Sequence, residues 1–457
     1  MNAPSTETTV AESLAGRVLA LRAEAIPAPV RQRAEELLVD VIGLCAAARR
    51  TDYMRAMIAA VDAGGPCTAV GHAGGFSAEA AALINGTATH GEDFDDTFEG
   101  GPIHSSCVIV PAVLAACERF RRDGRAALLG IACGIEATCR LSMVVPKAVH
   151  RSGFHPTSVL GTIGAALAAS KVMGLNRQQT VDALGHAGSM ASGIIEYLAD
   201  GAWTKRLHPG WAAQAGIQSA RIAAQGFLGP RTVFEGTHGL FNGFARTTEG
   251  DYGVLTGDFG ERWVMQNITF KPYATGTMNQ PYIDCALRLR ARGVAPEDVK
   301  EILCETAEGY VHRLWEPLAS KHRPPNSYVA KFSAPFNIAV ALVTGGAGLS
   351  AFTEDTAKDE RVLALASKVR YVVNPNDPYP KAFTGHVRAT LNDGRVVEER
   401  QPHIRGGAKE PLSRVEIENK FLGNCEHGGW DKARARKFLD GAPKFFDGPL
   451  DLTPLRG

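Results

Sequence analysis

Across 457 residues the chain has few aromatic side chains, 7%, and no excess of either charge: 49 Lys and Arg stand against 48 Asp and Glu. A net charge of +1 supplies no general field for a polyanion, and the scarcity of aromatics removes stacking platforms for bases, so nucleic acid is excluded as an expected partner. Nine cysteines are odd in number and scattered, and no Cys-x-x-Cys pair occurs, which argues against a disulfide framework and a compact zinc knuckle. A reducing, cytoplasmic setting is the expectation. The first residues, from Met1 to Ile26, lack the basic flank and apolar run of a signal peptide. The weakly polar stretches from Cys107 to Cys117 and from Val159 to Ala169 fall short of the ~20 residues that span a bilayer, so no membrane segment is expected.

What the sequence does have is a globular balance, 45% apolar and 21% charged, with 49 glycines that favour close backbone packing. Length alone allows about three domains at ~150 residues each, or two unequal ones. Up to about residue 260 the periods are helical. Val30, Ala34, Leu37, Val41 and Leu44 mark one amphipathic helix after Pro27 and Pro29. A second follows Ser158 and stops at Gly174, with Ala165, Ala168 and Ala169 small enough for close approach; Thr157 or Ser158 is positioned to cap it. Asn176 with Gln179 forms a capping box for the next helix.

The character changes after Met265. Gln266 to Tyr273 reads as extended, Ile283 to Arg292 as helical, and Lys300–Thr306, Val369–Val373 and His386–Leu391 as strands, with Asn392-Asp393-Gly394 as a hairpin turn before Arg395 to Glu398. The expected fold is mainly α with α+β: residues 1–265 form the first part of a large helical domain, 266–400 a small α+β domain, and 401–457 a segment that rejoins the helical domain.

Polar residues concentrate in a few places. His90-Gly91-Glu92-Asp93-Phe94-Asp95-Asp96-Thr97 is followed closely by His104-Ser105-Ser106. If the string closes a helix, Asp93, Asp96 and Thr97 share a face, and crowded carboxylates beside His104 could poise proton donors and acceptors near neutral pH. A solvated acidic cap is the plain alternative, and His90 with Asp93 is too generic a spacing to name a metal. A second cluster, His150-Arg151-Ser152-Gly153-Phe154-His155-Pro156-Thr157, precedes a helix whose positive end favours an anion, with Arg151 as a carboxylate fork. The third joins Lys205 and Arg206 to His208, adjacent cations that disfavour each other's charge. The fourth, Lys271-Pro272-Tyr273, falls at the passage to the smaller domain, where ligand clefts are common.

Taken together these strings resemble the MmgE/PrpD family of 2-methylcitrate dehydratases and cis-aconitate decarboxylases. The resemblance rests on Asn85-Gly86, His90 to Thr97, His104-Ser105-Ser106, Gly153 to Ser158, Lys205 with His208-Pro209-Gly210, Glu235-Gly236 and Lys271-Pro272-Tyr273. It implies a large helical domain from both chain ends with an inserted α+β domain, commonly a homodimer. It also implies chemistry on small di- or tricarboxylates with no metal and no organic cofactor. Carried over, the catalytic positions are Asp93, Thr97, His104, Lys205 and Lys271, with His155, Arg151, Arg206 and Tyr273 assigned to substrate binding. By register, Gly276 stands where the decarboxylase has a histidine and Gln280 where many dehydratases have one. Both departures weaken the decarboxylase and the standard dehydratase patterns; a hydro-lyase on a methylcitrate-like acid is the first expectation from its frequency in the family, with dicarboxylate epimerisation, favoured by the missing histidines, decarboxylation and a non-catalytic binding role as alternatives.

Overall fold

The computed structural model describes residues 7–457. By their contacts the described residues divide into two compact units: one comprises 7–91, 95–268 and 414–457, the other 92–94 and 269–413. The first unit is helical, and the second carries an α+β fold within the sequence of the first.

In the first unit the amphipathic helix spans Ala28–Ala48, the next expected helix Pro156–Met173, and Gly174 closes the latter in the left-handed region at φ +76°. Asn176 and Gln179 make both hydrogen bonds of a capping box on Arg177–Met190. Thr157 does not cap its helix: His155 occupies that position without a side-chain bond, and the Thr157 hydroxyl instead accepts from the His104 N–H at 3.0 Å. The Thr204–Ala224 helix packs on Ala78–His90 and Pro156–Met173 through missing side chains. A Cβ on Gly210 would lie 2.2 Å from the Leu83 carbonyl oxygen, and one on Gly216 would lie 2.4 Å from Ala165.

Gly124–Val144 is long and apolar enough to cross a membrane by length and composition, a stretch the sequence reading passed over. Its surface is covered by the unit's own core, and it carries a buried pair, Glu136 with Arg140 at 2.6 Å. The last stretch of chain joins this unit because Phe421 of Arg414–His427 fills the space beside Gly43, and Lys420 meets buried Asp40 at 2.8 Å.

The second unit centres on a four-stranded sheet in the order Val369–Val373, Val299–Thr306, Gly385–Leu391, Val396–Gln401. The first pair is parallel and the others antiparallel, with Ile302 opposite both Val369 and Ala389. Gly394, at φ +88°, closes the hairpin after Leu391. The helix Gln280–Ala291 packs on the last two strands and on Ala334–Thr344.

Two sequence expectations are corrected here. Residues 266–273 are not one extended run, since Val264–Asn267 is a 3-10 turn. The second unit also runs to Ser413 and not to residue 400. The Gln401 amide donates to the His403 carbonyl and to Glu410, and the Gly406 carbonyl accepts from the Phe270 N–H, which ties 401–413 to this unit.

Candidate active site

The acidic string is not a helical face. The Ala78–His90 helix stops at His90, where Gly91 has no room for a side chain: a Cβ would sit 2.1 Å from the Tyr53 hydroxyl. Glu92, Asp93 and Phe94 then belong to the second unit, while Asp95, Asp96 and Thr97 return to the first. Asp93, Asp96 and Thr97 therefore do not share a face.

In the first unit, fully buried Asp95 serves two imidazoles, His90 Nδ1 at 2.7 Å and His104 Nδ1 at 3.4 Å. Asp96 has another task. Its carboxylate accepts from the backbone N–H and hydroxyl groups of Ser105 and Ser106, at the start of the Ser106–Phe120 helix, where the dipole favours a negative group. The Asp96 carbonyl accepts from His104 Nδ1 at 2.7 Å. Because a carbonyl oxygen only accepts, the His104 proton sits on Nδ1, leaving Nε2 as the ring's second nitrogen for chemistry.

His155 lies 5.6 Å from His90 between ring centres, and its Nδ1 meets His208 Nδ1 at 3.0 Å. Two facing nitrogens at that distance share one proton, so at least one of the pair is neutral. Tyr197 lies edge-on to both rings. Lys205, one turn before His208 on the Thr204–Ala224 helix, is close enough for its charge to disfavour protonation of His90, His155 and His208.

Burial is the larger cause. It pushes His90 and His208 down to about 4, and takes His155 well below its ordinary value. For Asp95 burial works the other way, yet His90 and His104 outweigh it and hold the carboxyl well below the usual range. The result is a cluster of imidazoles, mostly neutral, around one ionised carboxylate.

His90, Asp95 and Cys107 also place possible ligand atoms within 4.8 Å of one another. These groups are already engaged with each other and with the backbone. The Cys107 thiol donates to the His104 carbonyl at 3.2 Å, and burial, followed by Asp95 and Asp96, raises its pKa well above 9.0, which opposes the thiolate a metal would need. The trio reads as a hydrogen-bonded group.

In the second unit two buried lysines hold consecutive residues. Lys271 Nζ donates to the Asp93 carbonyl at 2.8 Å and lies 3.3 Å from its carboxylate. Lys331 Nζ donates to the Glu92 carbonyl at 2.7 Å and to its carboxylate at 2.6 Å. These bonds hold Asp93 at φ +54°, a conformation that a non-glycine residue adopts only when its surroundings require it. The loop after Tyr273 is organised on the Lys331 carbonyl, which accepts from Thr275, Gly276 and Asn279. Gln280 spans the same loop, accepting from the Tyr273 N–H and donating to the Tyr273 and Thr275 carbonyls.

Of the residues singled out from sequence, the structure brings His104, His155 and Lys205 into the first unit's cluster, and sets Asp93 against Lys271 in the second. Thr97 is buried in the two-residue strand Thr97–Phe98. The other three residues expected to bind substrate have partners within the protein. Arg151 is exposed and turned to the Pro146 carbonyl. The Arg206 guanidinium is spent on the Tyr53 ring, 4.4 Å from its centre. Tyr273 donates its hydroxyl to Asp284 at 2.6 Å, beneath the Arg405 guanidinium. Sequence reasoning left out Asp95, His208 and Lys331. The first two stood inside strings already noticed, whereas Lys331 carried no signal in a stretch of ordinary composition.

The helical unit carries an α+β unit inserted in its sequence, with imidazoles and a carboxylate buried together in the first and lysine–carboxylate pairs in the second. The MmgE/PrpD N-terminal domain matches residues 12–252 and the MmgE/PrpD C-terminal domain residues 273–441, so the chain belongs to the MmgE/PrpD family. Among its relatives, human cis-aconitate decarboxylase is 30% identical over 77% of this chain and 73% of its own length. The cis-aconitate decarboxylase-like protein oryM of Aspergillus oryzae is 27% identical over 91% of this chain and 90% of its own. The mitochondrial 2-methylcitrate dehydratase of Yarrowia lipolytica is 25% identical over 53% of this chain and 48% of its own.

Proposed function

We propose that the protein is a lyase acting on a small di- or tricarboxylate, breaking a bond to carbon next to a carboxylate without an electron-sink cofactor. The observation that carries this reading is the buried cluster of His90, His104, His155 and His208 with Asp95 and Lys205. Charge developing on a substrate carboxylate calls for a nearby cation, a role given in the first unit to Lys205, and the proton at carbon calls for imidazoles. A catalytic role is also given to Thr97 in the first unit and, separately, to Asp93 with Lys271 in the second.

Decarboxylation of cis-aconitate is the first reaction to test, because the relatives matched over most of their length are named for it. In that reaction the bond to the departing carboxylate breaks, its electron pair stays on carbon, and a proton from an imidazole replaces the carbon dioxide. Dehydration of a methylcitrate-like acid is the second reading. The loop that holds Gly276 and Gln280 offers no histidine, and Gln280 is bonded to backbone groups, which departs from the decarboxylase and the dehydratase patterns alike and favours a third reading, epimerisation. Epimerisation of a dicarboxylate needs the same proton transfers without bond loss.

Proton NMR in heavy water on a panel of di- and tricarboxylates separates these outcomes. Loss of a carboxylate with a new protonated carbon marks decarboxylation, a new double bond marks dehydration, and deuterium uptake without net conversion marks epimerisation. Binding without any of the three overturns the enzymatic reading. A homodimer belongs to the same proposal: exposed Ile194, Leu198, Trp203, Trp211, Phe227 and Leu228 give a second copy apolar surface to cover, which light scattering of the purified protein tests.

A further inference from the structure

We infer that His90 is a further catalytic residue of this chain: its Nε2 exchanges the proton at the substrate carbon while Asp95 fixes the ring through Nδ1. The inference rests on the polycarboxylate reading above and extends it to a residue that the sequence comparison with the family had left aside.

The geometry leaves little choice of tautomer. Asp95 Oδ2 lies 2.7 Å from His90 Nδ1, and an ionised carboxylate only accepts, so the proton is on Nδ1 and Nε2 carries a lone pair. The side chain is fully buried, and Nε2 has no hydrogen-bond partner among the described residues. A buried acceptor left unpaired is unfavourable, and a bound group donating to Nε2 removes that cost. A carboxylate on one ring nitrogen and a lone pair on the other is also how a general base is built, because the carboxylate stabilises the imidazolium that forms.

The groups facing the ring decide when it can hold a proton. His104 stands 4.7 Å away edge-on, His155 5.6 Å away, Lys205 adds positive charge, and Cys107 Sγ lies 4.0 Å from Nδ1 as a thiol. Asp96 is engaged by Ser105 and Ser106, which leaves Asp95 as the carboxylate bonded to the ring. With the cluster empty the balance keeps His90 neutral. A substrate bringing two or three carboxylates offsets Lys205 and raises the ring's affinity for a proton, which comes from solvent before decarboxylation or from the substrate carbon in dehydration.

The step then balances in either sense. In decarboxylation the bond to carbon dioxide breaks, its electron pair remains on carbon, and the Nε2 proton passes to that carbon, returning a neutral ring. In dehydration Nε2 takes the proton from carbon, the C–H pair forms the double bond, and the hydroxyl leaves as water with a proton from His104.

The test compares wild type with His90→Gln and Asp95→Asn on the substrate found by NMR, together with His90→Ala assayed with added imidazole. The expected result is a loss of about 10²–10⁴-fold in kcat for His90→Gln, with KM within a few fold, and partial recovery of His90→Ala by imidazole. Asp95→Asn is expected to shift the pH profile of kcat, a change that a merely structural role would not produce. Folding of each variant is checked by circular dichroism and melting. Wild-type turnover with His90→Gln within threefold of it overturns the inference alone. Wild type that converts no polycarboxylate overturns the parent reading, and the role falls with it. Should the His90 variants fail to fold, wild type titrated at pH 7 in two buffers of different ionisation enthalpy must take up protons with a substrate that it decarboxylates and none with one that it dehydrates, and the opposite result overturns the inference.

Discussion

Acid should weaken the first unit through its histidines, and His208→Asn measures by how much. The folded protein holds His208 at about 4, against 6.5 for an unperturbed imidazole, because burial and then His90 and Lys205 disfavour its charge. Between those values the unfolded chain binds the proton and the folded chain does not, so this group's contribution to stability is present above pH 6.5 and lost as pH falls toward 4. At 1.36 kcal/mol per pH unit, the loss from pH 7 to pH 4 is about 3 kcal/mol. Asp40 runs the other way. Burial pushes its carboxyl up to about 6 despite Lys420, so its contribution favours the folded state as pH falls through that value. Comparing variant with wild type cancels the Asp40 share, and any packing cost of the substitution is a constant offset. Urea unfolding at half-unit steps from pH 7 to 4 should show the variant losing about 2–3 kcal/mol less than wild type across the range. Parallel stability curves would refute the claim that His208 is held neutral by its surroundings.

Further outcomes follow from packing and from the second unit. Gly210→Ala puts a Cβ 2.2 Å from the Leu83 carbonyl oxygen, a backbone atom that cannot turn aside, and should cost about 1–3 kcal/mol in thermal unfolding. Gly243→Ala meets nothing within 4 Å on a helix and should cost nothing or add up to about 1 kcal/mol, so equal melting of the two variants would sink the close-approach argument. Lys331→Met leaves Glu92 without its buried cation and should destabilise the second unit by about 3–5 kcal/mol, with faster amide exchange at 92–94 by mass spectrometry. Arg151→Ala removes an exposed guanidinium from a backbone carbonyl and should leave kcat/KM within twofold, whereas a hundredfold loss would restore its substrate-binding role.

Legibility in the sequence followed the range of the forces involved. Helices whose apolar residues repeat at three- or four-residue steps, the capping box at Asn176, the stop at Gly174 and the Asn392-Asp393-Gly394 hairpin are local signals, and each matches the structure within a few residues. The string from His90 to Thr97 misled because periodicity assumes that neighbours share one environment. Here neighbours are divided, with Glu92 and Asp93 answering to Lys331 and Lys271 while Asp95 and Asp96 answer to His90, His104 and two serines. Nothing local to Arg206 announces its Tyr53 partner, which lies far away in sequence. Gly276, read as a missing histidine, lies against Phe332 in a loop whose bonds converge on the Lys331 carbonyl. No local pattern marks Lys331 as a buried ion-pair partner.

The distribution of charge accounts for how a chain with a net charge of only +1 would take the anionic substrate proposed above. In the second unit each buried lysine has its own carboxylate, Lys271 with Asp93 and Lys331 with Glu92, so the pairs are internally compensated. In the first unit a single carboxylate, Asp95, serves two imidazoles, and Lys205 adds positive charge beside rings that burial keeps unprotonated. Desolvated imidazoles gain proton affinity when negative charge arrives, so the cluster can respond to a polycarboxylate without carrying full positive charge beforehand. Attraction of this kind is short-ranged and acts where the substrate would react. A strongly basic surface would add encounter rate but no selectivity for the position of the carboxylates. The same arrangement ties specificity to the spacing of the ligand's charges, since a monocarboxylate would offset Lys205 and leave the imidazoles as they are.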